Sequence, residues 1–332
     1  MRAVVLVVVV WATFPSRLAV RATECNVKDY GAKGDGKSNE TDAFMKSFQA
    51  CSDHTSTSSP RNTVLVPTGT FLVWSLDIKK EECSDLLFNI TGLILAPSDP
   101  SSWFDNSSYF NFDECENFEI SGGGKIDGQG ELWWKIREKD SSIEAPVLIV
   151  IDHGNNVVVR NISLANSPFF HLVPKNSKNI LIDGIMIKTP ESSPNTDGID
   201  PSNSHSVTIR NCFISTGDDN VAVKPGSTDI LVENCTFGYG HGCSIGSINS
   251  TGVQNVLVSN VVFTKTDYGA RIKTWQGGTG LVQNITYQHL EMRDVDMPIY
   301  ITMYYCPHSQ HRSPCKNSTK GEMTVHYSTI YC

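Results

Sequence analysis

The stretch Asn156–Ile162 reads NVVVRNI and is the first copy of a phrase that recurs along the rest of the chain. The phrase is a polar residue, an apolar one, any residue, an apolar one, two mostly polar residues and an apolar one. Its later copies are NILIDGI (179–185), SVTIRNC (206–212), DILVENC (229–235), NVLVSNV (255–261) and NITYQHL (284–290). Successive copies are offset by roughly 25 residues, a period typical of repeat architectures. The chain therefore repeats one structural unit.

Each copy has the pattern of a β-strand. Apolar residues alternate with period 2 within it, and Gly, Asn, Ser and Thr between the copies supply turns. No helical stripe separates the copies, so βαβ units and helix-containing leucine-rich repeats are excluded. The sequence predicts an all-β fold, a right-handed parallel β-helix in which each coil buries Val, Ile and Leu against its neighbours. A β-sandwich is the alternative, but its strands recur about every 8 to 12 residues.

The repeat is weaker before residue 150. Strands are predicted at Thr63–Val66, Leu86–Leu95 and Phe118–Ile120, and a short helix is predicted near Thr41–Ala50. Because this helix precedes most of the predicted strands, we expect it to cap the open N-terminal end of the stack.

Residues 1–22 have the pattern of a secretory signal peptide. Arg2 is followed by the apolar run Ala3–Ala12, and Val20 and Ala22 have the small-residue spacing that signal peptidase prefers. A membrane anchor is the alternative, but about ten continuous apolar residues are too few to span a bilayer, which needs roughly 20. We therefore expect a secreted, extracellular protein with no membrane association, located in the cell wall if it comes from a plant.

Cysteines and glycosylation sequons agree with secretion. All ten cysteines follow the predicted signal peptide, and an oxidising compartment tends to pair them. Eight Asn-x-Ser/Thr sequons are present, at Asn39, Asn89, Asn106, Asn161, Asn234, Asn249, Asn284 and Asn317. The formal net charge of −8 argues against nucleic acid as a partner, because nucleic acid is bound by basic surfaces.

Polar residues recur in phase with the strands. Equivalent positions in neighbouring coils lie about 4.8 Å apart, so residues separated by one coil of sequence are in contact. Asp197 precedes the phrase that begins at residue 206, and Asp218 and Asp219 precede the phrase that begins at residue 229 by nearly the same interval. His241 follows Asp218 by one coil. Three carboxyl groups and an imidazole should therefore share one corner of the stack.

Two cations join the same face. Arg271 and Lys273 precede the phrase that begins at residue 284 by a similar interval, and their two-residue spacing places both on one side of a strand. Crowded aspartates raise the pKa of at least one of them, so that a protonated acid stands beside an ionised base. Glycoside hydrolysis needs such a pair, and two cations suit a sugar that carries a carboxylate.

Each of these residues also has a plain structural interpretation. Asp-Gly and Asp-Asp are common in turns, His241 lies between glycines, and Arg271 would equally pair with a structural carboxylate. Calcium is the stronger rival, since clustered carboxylates are hard ligands, but an imidazole and two cations argue against it. The coincidence of all four segments in coil phase favours catalysis.

In order along the chain, the motifs NTDGID (195–200), GDDN (217–220), GHG (240–242) and RIK (271–273) resemble those of the polygalacturonases. These enzymes are glycoside hydrolases with a right-handed parallel β-helix. The similarity covers most of the mature chain and includes NVKDYGAKGDG (26–36), GKIDGQG (124–130) with Trp133-Trp134, and NSP (166–168). The first of these is shared by other pectin-active β-helix proteins, whereas the four site motifs in order are highly specific.

The resemblance implies a role for each site residue. Asp218 would be the general acid, Asp197 and Asp219 would hold and activate water in an inverting mechanism, and His241 would support the acid. Substrate contacts would come from Asn195, Arg271, Lys273 and Tyr305, with the two cations on a galacturonate carboxylate. Tyr304 is adjacent, so the tyrosine assignment is open by one residue. No metal and no cofactor are implied for catalysis.

The chain departs from the family pattern in three places. Asn220 stands where many eukaryotic members have Cys, although some bacterial endo-acting members also have Asn. The chain stops at Cys332 within a strand phrase at Met323–Val325, so residues 23–332 are expected to form one catalytic β-helix domain with shortened C-terminal coils. The segment from Cys306 to Cys315 is a candidate for a disulfide-closed loop beside the groove.

The resulting hypothesis is hydrolysis of α-1,4 linkages in de-esterified homogalacturonan, within the chain, by a monomeric enzyme whose partner is the pectin polysaccharide. Exo-action from the chain end is the nearest alternative, because endo and exo forms share all four motifs. A pectin-binding protein with little or no turnover and a lyase are the others. A rhamnogalacturonan hydrolase fits less well, since Arg271 and Lys273 supply a clamp for galacturonate.

Overall fold

The computed structural model describes residues 22–52, 61–103 and 107–306, and the backbone of residues 325–331. The predicted signal peptide thus lies almost wholly outside the described residues. Parallel strands stack into the coils of a solenoid whose walls we call sheets 1, 2 and 3. This is the all-β, right-handed parallel β-helix that the repeat predicts.

Sheet 1 holds the repeated phrase. Its strands are Glu24–Asn26, Asn62–Val66, Leu86–Ile90, Glu119–Ser121, Asn155–Arg160, Lys178–Asp183, His205–Arg210, Thr228–Glu233, Val253–Thr264, Val282–Arg293 and Val325–Tyr331. The two long strands, Val253–Thr264 and Val282–Arg293, continue without a break into sheet 2.

Sheet 2 continues the coil after a turn, and its other strands are Asp35–Asn39, Thr70–Leu72, Leu93–Leu95, Lys125–Asp127, Ser163–Ala165, Met186–Lys188, Phe213–Ser215 and Thr236–Phe237. Sheet 3 closes each coil with Leu76–Ile78, Ser108–Asp113, Val147–Asp152 and Leu172–Lys175, then Val221–Val223, Cys243–Ile248, Tyr268–Trp275 and Met297–Tyr305. Bridges at Ile199 join its two halves.

The phrase stacks in the register that its period predicts. Its first apolar positions, residues 157, 180, 207, 230, 256 and 285, pair directly from coil to coil, and all are buried. The polar residues at the two ends of the phrase adopt left-handed backbone, as at Asn156 (φ 56°) and Asn161 (φ 49°). Asn, Asp and Gly tolerate this conformation best, which explains why they bound the strand in most copies.

Helix α1 (Thr41–Ser52) confirms the predicted N-terminal cap. It buries Phe44 and Phe48, whose rings lie 5.9 Å from Phe71 and 5.0 Å from Phe88 in the first coils. The described residues also contain two further α-helices, α2 (Lys80–Cys83) and α3 (Glu131–Lys139), and the 3₁₀ turns Val27–Tyr30 and Pro100–Ser102. The sequence pattern predicts none of these four elements. None of the helices in the described residues is long and apolar enough to cross a membrane.

One predicted strand is divided. Leu86–Leu95 forms two strands, because the chain turns from sheet 1 to sheet 2 at Thr91 and Gly92. A Cβ atom at Gly92 would stand 2.3 Å from the Pro67 carbonyl oxygen, so this close approach of two coils requires glycine. A short apolar run gives no signal for such a corner.

The expectation that the cysteines pair holds only in part. Cys25 bonds to Cys51 and Cys83 to Cys115, which ties α1 and α2 to the first coils. Cys306 is also disulfide-bonded, but the predicted loop to Cys315 lies outside the described residues. In the part of the chain that the structure describes, Cys212, Cys235 and Cys243 are unpaired and buried. The first two occupy the last apolar position of the phrase, where cysteine acts as a small hydrophobic residue.

Candidate active site

The predicted site residues lie in successive coils at the C-terminal half of sheet 3. Ile199, Val221 and Cys243 pair from coil to coil, and Asp197, Asp219 and His241 each precede one of them by two residues. In the following coil, Arg271 pairs with Ser244, and Lys273 with Gly246. The stacking therefore brings together the three aspartates, the imidazole and the two cations, as the coil phase predicts.

Asp219 is held by two cations and a hydroxyl group, a set that we call the Asp219 cluster (Asp219, Ser244, Arg271 and Lys273). Arg271 Nη2 and Ser244 Oγ donate to its Oδ1, the latter at 2.8 Å, and Lys273 Nζ donates to Oδ2 at 2.6 Å. All four residues are buried. Burial alone would raise the pKa of Asp219, but Lys273 and Arg271 outweigh it and hold that pKa far below its usual range.

Asp218 lies beside this cluster, and its carboxyl group accepts three hydrogen bonds. Its Oδ1 accepts from His241 Nδ1 at 2.8 Å and from the Asp219 backbone N–H at 2.8 Å, and its Oδ2 accepts from Asn195 Nδ2 at 3.1 Å. Burial raises the pKa of Asp218, but the bond from His241 and the charges of His241 and Lys273 together outweigh it, and the net pKa is lowered. At His241, burial lowers the pKa, but the bond to Asp218 and the charges of Asp218 and Asp219 together outweigh it, and the net pKa is raised.

Asp197 has the opposite environment. We call Asp197, Asp200 and Lys224 the Asp197 cluster, in which Lys224 Nζ lies 3.0 Å from Asp197 Oδ2 and 3.1 Å from Asp200 Oδ2. Both carboxyl groups are buried and share one ammonium group. Burial, followed by repulsion from Asp200, raises the pKa of Asp197 well above its usual range. Burial also raises the pKa of Asp200, to about 6.

A buried histidine fixes the backbone at Asp197. His171 Nδ1 lies 3.0 Å from the Asp197 carbonyl oxygen, and its Nε2 accepts from the Ser167 backbone N–H at 3.3 Å. These partners require the neutral tautomer with the proton on Nδ1, since a second proton on Nε2 would face an N–H group. Burial accordingly lowers the pKa of His171 to about 4.

The remaining predicted contacts surround these carboxyl groups. Asn195 has left-handed backbone (φ 53°), and its amide bridges Asp218 to Arg137 Nη2, which donates to Asn195 Oδ1 at 2.9 Å. The Tyr305 ring lies 5.3 Å from Lys273 Nζ, whereas the neighbouring Tyr304 is 69% exposed. The geometry thus favours Tyr305 over Tyr304 as the tyrosine beside the cations.

Asp218, Asp219 and His241 lie close enough together to ligate a metal ion. Both Asp219 oxygens, however, already accept from Arg271 and Lys273, and two cations beside an ion would repel it. The donor set therefore fits a network of ion pairs better than a metal site.

Three residues that contact the predicted site residues were not predicted as part of the site. Lys224 follows Asp197 by one coil, so the period that located the aspartates also predicts this contact. Asp200 was visible only as part of a motif. Asp267 Oδ2 lies 3.4 Å from His241 Nε2, opposite Asp218, and its position one coil after His241 carries the same signal.

Comparisons with known proteins agree with this geometry. The family described as "Glycosyl hydrolases family 28" matches residues 56–327, and a rhamnogalacturonase A/epimerase, pectate lyase-like family matches residues 25–84. A polygalacturonase of Chamaecyparis obtusa is 39% identical over 308 residues, covering 89% of this chain and 58% of the relative. A polygalacturonase of Malus domestica is 34% identical, covering 93% of this chain and 68% of the relative.

Solved structures show the same fold. The polygalacturonase of Erwinia carotovora superposes with a TM-score of 0.76 at 25% identity, covering 96% of this chain and 97% of that one. The exopolygalacturonase of Thermotoga maritima gives 0.73 at 25% identity, with 87% and 76% covered. The chain spans less than two thirds of the length of the conifer relatives it matches. With its family model matched over most of its length, this chain belongs to glycosyl hydrolases family 28.

Proposed function

We propose that the protein hydrolyses α-1,4 galacturonosyl linkages in de-esterified homogalacturonan, within the polysaccharide chain, by an inverting acid/base mechanism. The observation that carries the proposal is the contact of 2.8 Å between His241 Nδ1 and Asp218 Oδ1, which gives one carboxyl group a proton donor beside two further aspartates. Acid/base hydrolysis of a glycosidic bond needs one carboxyl group that delivers a proton and another that activates water. The relatives in two plant genera and the bacterial neighbours that bear the name polygalacturonase support the same substrate.

Asp218 is the general acid in this proposal. His241 holds a proton against Asp218 Oδ1 and passes it on as the glycosidic oxygen approaches, so that Asp218 delivers it to the leaving group. Asp267 on the other side of the ring favours the charged imidazole from which this proton comes. The acid is thus recharged by its neighbour instead of relying on a raised pKa of its own.

Asp197 is the base in this proposal, and Lys224 Nζ, 3.0 Å from Asp197 Oδ2, favours the ionised form that can accept a proton from water. Asp219 has both oxygens committed to cations and so orients the water without taking its proton. Arg271 and Lys273 are each only 5% exposed, so as a clamp for a galacturonate carboxylate they must share their charge with Asp219. Tyr305 then forms the apolar border of that clamp.

The proposal also includes the location, processing and oligomeric state of the protein. We propose secretion to the extracellular space, cleavage of a signal peptide at residues 1–22 and action as a monomer. Five of the predicted sequons, at Asn39, Asn161, Asn234, Asn249 and Asn284, are exposed, which supports glycosylation along a secretory route.

The proposal is tested by incubating the protein with polygalacturonate. Viscosity, new reducing ends and the absorbance of unsaturated products are measured in the same reaction. Internal hydrolysis predicts a steep fall in viscosity at few reducing ends and no unsaturated product. A slow fall in viscosity would mean exo-action, a rise in absorbance would mean a lyase, and binding without new ends would mean a binding protein.

Asp218→Asn is the matched variant for this test, because it removes the transferable proton and hardly changes shape. We expect activity to fall by on the order of 10² to 10⁴-fold, with oligogalacturonate binding nearly unchanged by calorimetry. Near-normal turnover by a folded Asp218→Asn protein would contradict the assignment of the acid.

A further inference from the structure

Helix α3 forms one wall of a cavity of about 620 Å³ beside sheet 3. The other walls include Trp103, Pro146 and Phe169, and the helix contributes Trp133 and Arg137. Apolar and aromatic walls with a few convergent polar groups are typical of sites for small molecules or single sugar units.

Arg137 is a buried cation with no carboxylate partner in the described part of the chain. It is 7% exposed, and its Nη1 and Nη2 groups donate to neutral oxygens, those of the Ile143 carbonyl and the Asn195 amide. Its guanidinium stacks on Phe169 at 4.6 Å, and within the described ranges its Nε has no acceptor. Burial without an anion lowers the pKa of Arg137, whereas Asp219 raises that of Arg271. A buried charge of this kind is costly until an anion compensates it.

A second donor on the same helix is also unsatisfied. Trp133 precedes Arg137 by one helical turn, so both side chains project from one face of α3 towards the cavity. Trp133 is 8% exposed, and its Nε1 has no hydrogen-bond acceptor among the residues that the structure describes. A cation and a free N–H group beside aromatic rings suit a sugar that carries both a carboxylate and hydroxyl groups.

The cavity adjoins the catalytic centre through a short chain of contacts. Arg137 Nη2 donates to Asn195 Oδ1 at 2.9 Å, and Asn195 Nδ2 donates to Asp218 Oδ2 at 3.1 Å. A polysaccharide positioned for cleavage at Asp218 therefore has further units within reach of Arg137. Glu144, which is exposed, lies at the rim of the same cavity and opposes an incoming negative charge.

We propose that this cavity is a further substrate subsite, in which Arg137 binds the carboxylate of a galacturonate unit away from the cleaved bond. This inference rests on the proposed function. Glu144 lowers the affinity of the subsite by repulsion, so the two residues have opposite effects on long substrates. Neither effect extends to a substrate too short to reach the cavity.

The experiment compares Arg137→Gln, Glu144→Gln and the control Lys139→Gln, which removes an exposed charge from the same helix. Kinetics are measured on oligogalacturonates of increasing length. On long oligomers, Arg137→Gln should raise KM about tenfold or more, as expected for the loss of a charge-assisted bond to a carboxylate. Glu144→Gln should lower KM by about two- to threefold, the size of an exposed charge effect, and Lys139→Gln should change nothing.

The dependence of the kinetic constants on substrate length distinguishes a binding role of Arg137 from a structural one. If Arg137 acts only by orienting Asn195, Arg137→Gln lowers kcat equally for the shortest and longest substrates, and the subsite is refuted. Should Arg137→Gln fail to fold, the surface variant Glu144→Gln still decides, because unchanged affinity for long oligomers refutes the subsite. An inactive wild type would refute the proposed function but not the subsite. In that case calorimetry would measure the affinity of the same variants for oligogalacturonates, which requires no turnover.

Discussion

The Asp219 and Asp197 clusters occupy equivalent positions in adjacent coils, yet their charge balance is opposite. Asp219 has two cations for one carboxylate, and its pKa is far below the usual range. Asp197 shares a single lysine with Asp200, and the pKa of Asp197 is well above the usual range. Both aspartates are buried, so desolvation does not distinguish them. The number of cations available to each carboxylate therefore decides the direction in which its pKa is shifted.

The largest expected difference concerns the same substitution in the two clusters. Asp219→Asn leaves Arg271 and Lys273 buried without an anion, and we expect it to lower the free energy of unfolding by about 3 to 5 kcal/mol. Asp197→Asn leaves Lys224 paired with Asp200, so stability should change by less than about 1 kcal/mol or rise. Both variants should lose turnover.

Urea unfolding of the two variants beside wild type measures this difference. An equal loss of stability in both would mean that charge balance does not separate the clusters. A stable Asp219→Asn protein would show that Arg271 and Lys273 find another anion.

A smaller effect is expected at His171, which contacts the backbone of Asp197 and not the Asp219 cluster. Its pKa of about 4 in the folded protein lies below the usual histidine value of about 6.5, so the unfolded chain binds more protons between these pH values. The stability that neutral His171 contributes is therefore fully present above about pH 6.5 and is lost as the pH falls through about 4. The shift corresponds to roughly 3 kcal/mol at about 1.4 kcal/mol per pKa unit.

His171→Asn keeps a donor for the Asp197 carbonyl and removes the titrating group. We expect its unfolding free energy to fall less steeply with acid than that of wild type, while His205→Asn, at an exposed site, follows wild type. Identical pH profiles for His171→Asn and wild type would show that acid acts on other groups.

The smallest expected effect sharpens the role of Asp200. Repulsion from Asp200 raises the pKa of Asp197, so Asp200→Asn should lower that pKa. If Asp197 is the base, it then becomes ionised at lower pH, and the acidic limb of the kcat/KM profile moves to lower pH. A limb that stays in place in an active Asp200→Asn protein would assign it to another group, with Asp218 and His241 the first candidates.

The site residues differ in how far sequence reasoning reached them. The residues in coil phase, Asp197, Asp219 and His241, were placed together because the repeat converts sequence spacing into distance. The spacing of Arg271 and Lys273 predicts the face on which they lie but does not identify their partner. The structure pairs both cations with Asp219. Arg137 could not be placed at all, because it reaches Asn195 from a helix that interrupts the repeat.

The sequence by itself determined the solenoid, its strand register and the corner where the acidic residues meet. Period-2 apolar residues and left-handed Asn, Asp and Gly positions are local features, and stacking repeats them from coil to coil. Only the tertiary structure decided the neighbours of each charge and the direction of each pKa shift. A pKa depends on burial and on every charge within a few ångströms, and several of those come from other coils or from α3. Sequence therefore supplies the set of chemical groups, while packing assigns each its electrostatic environment.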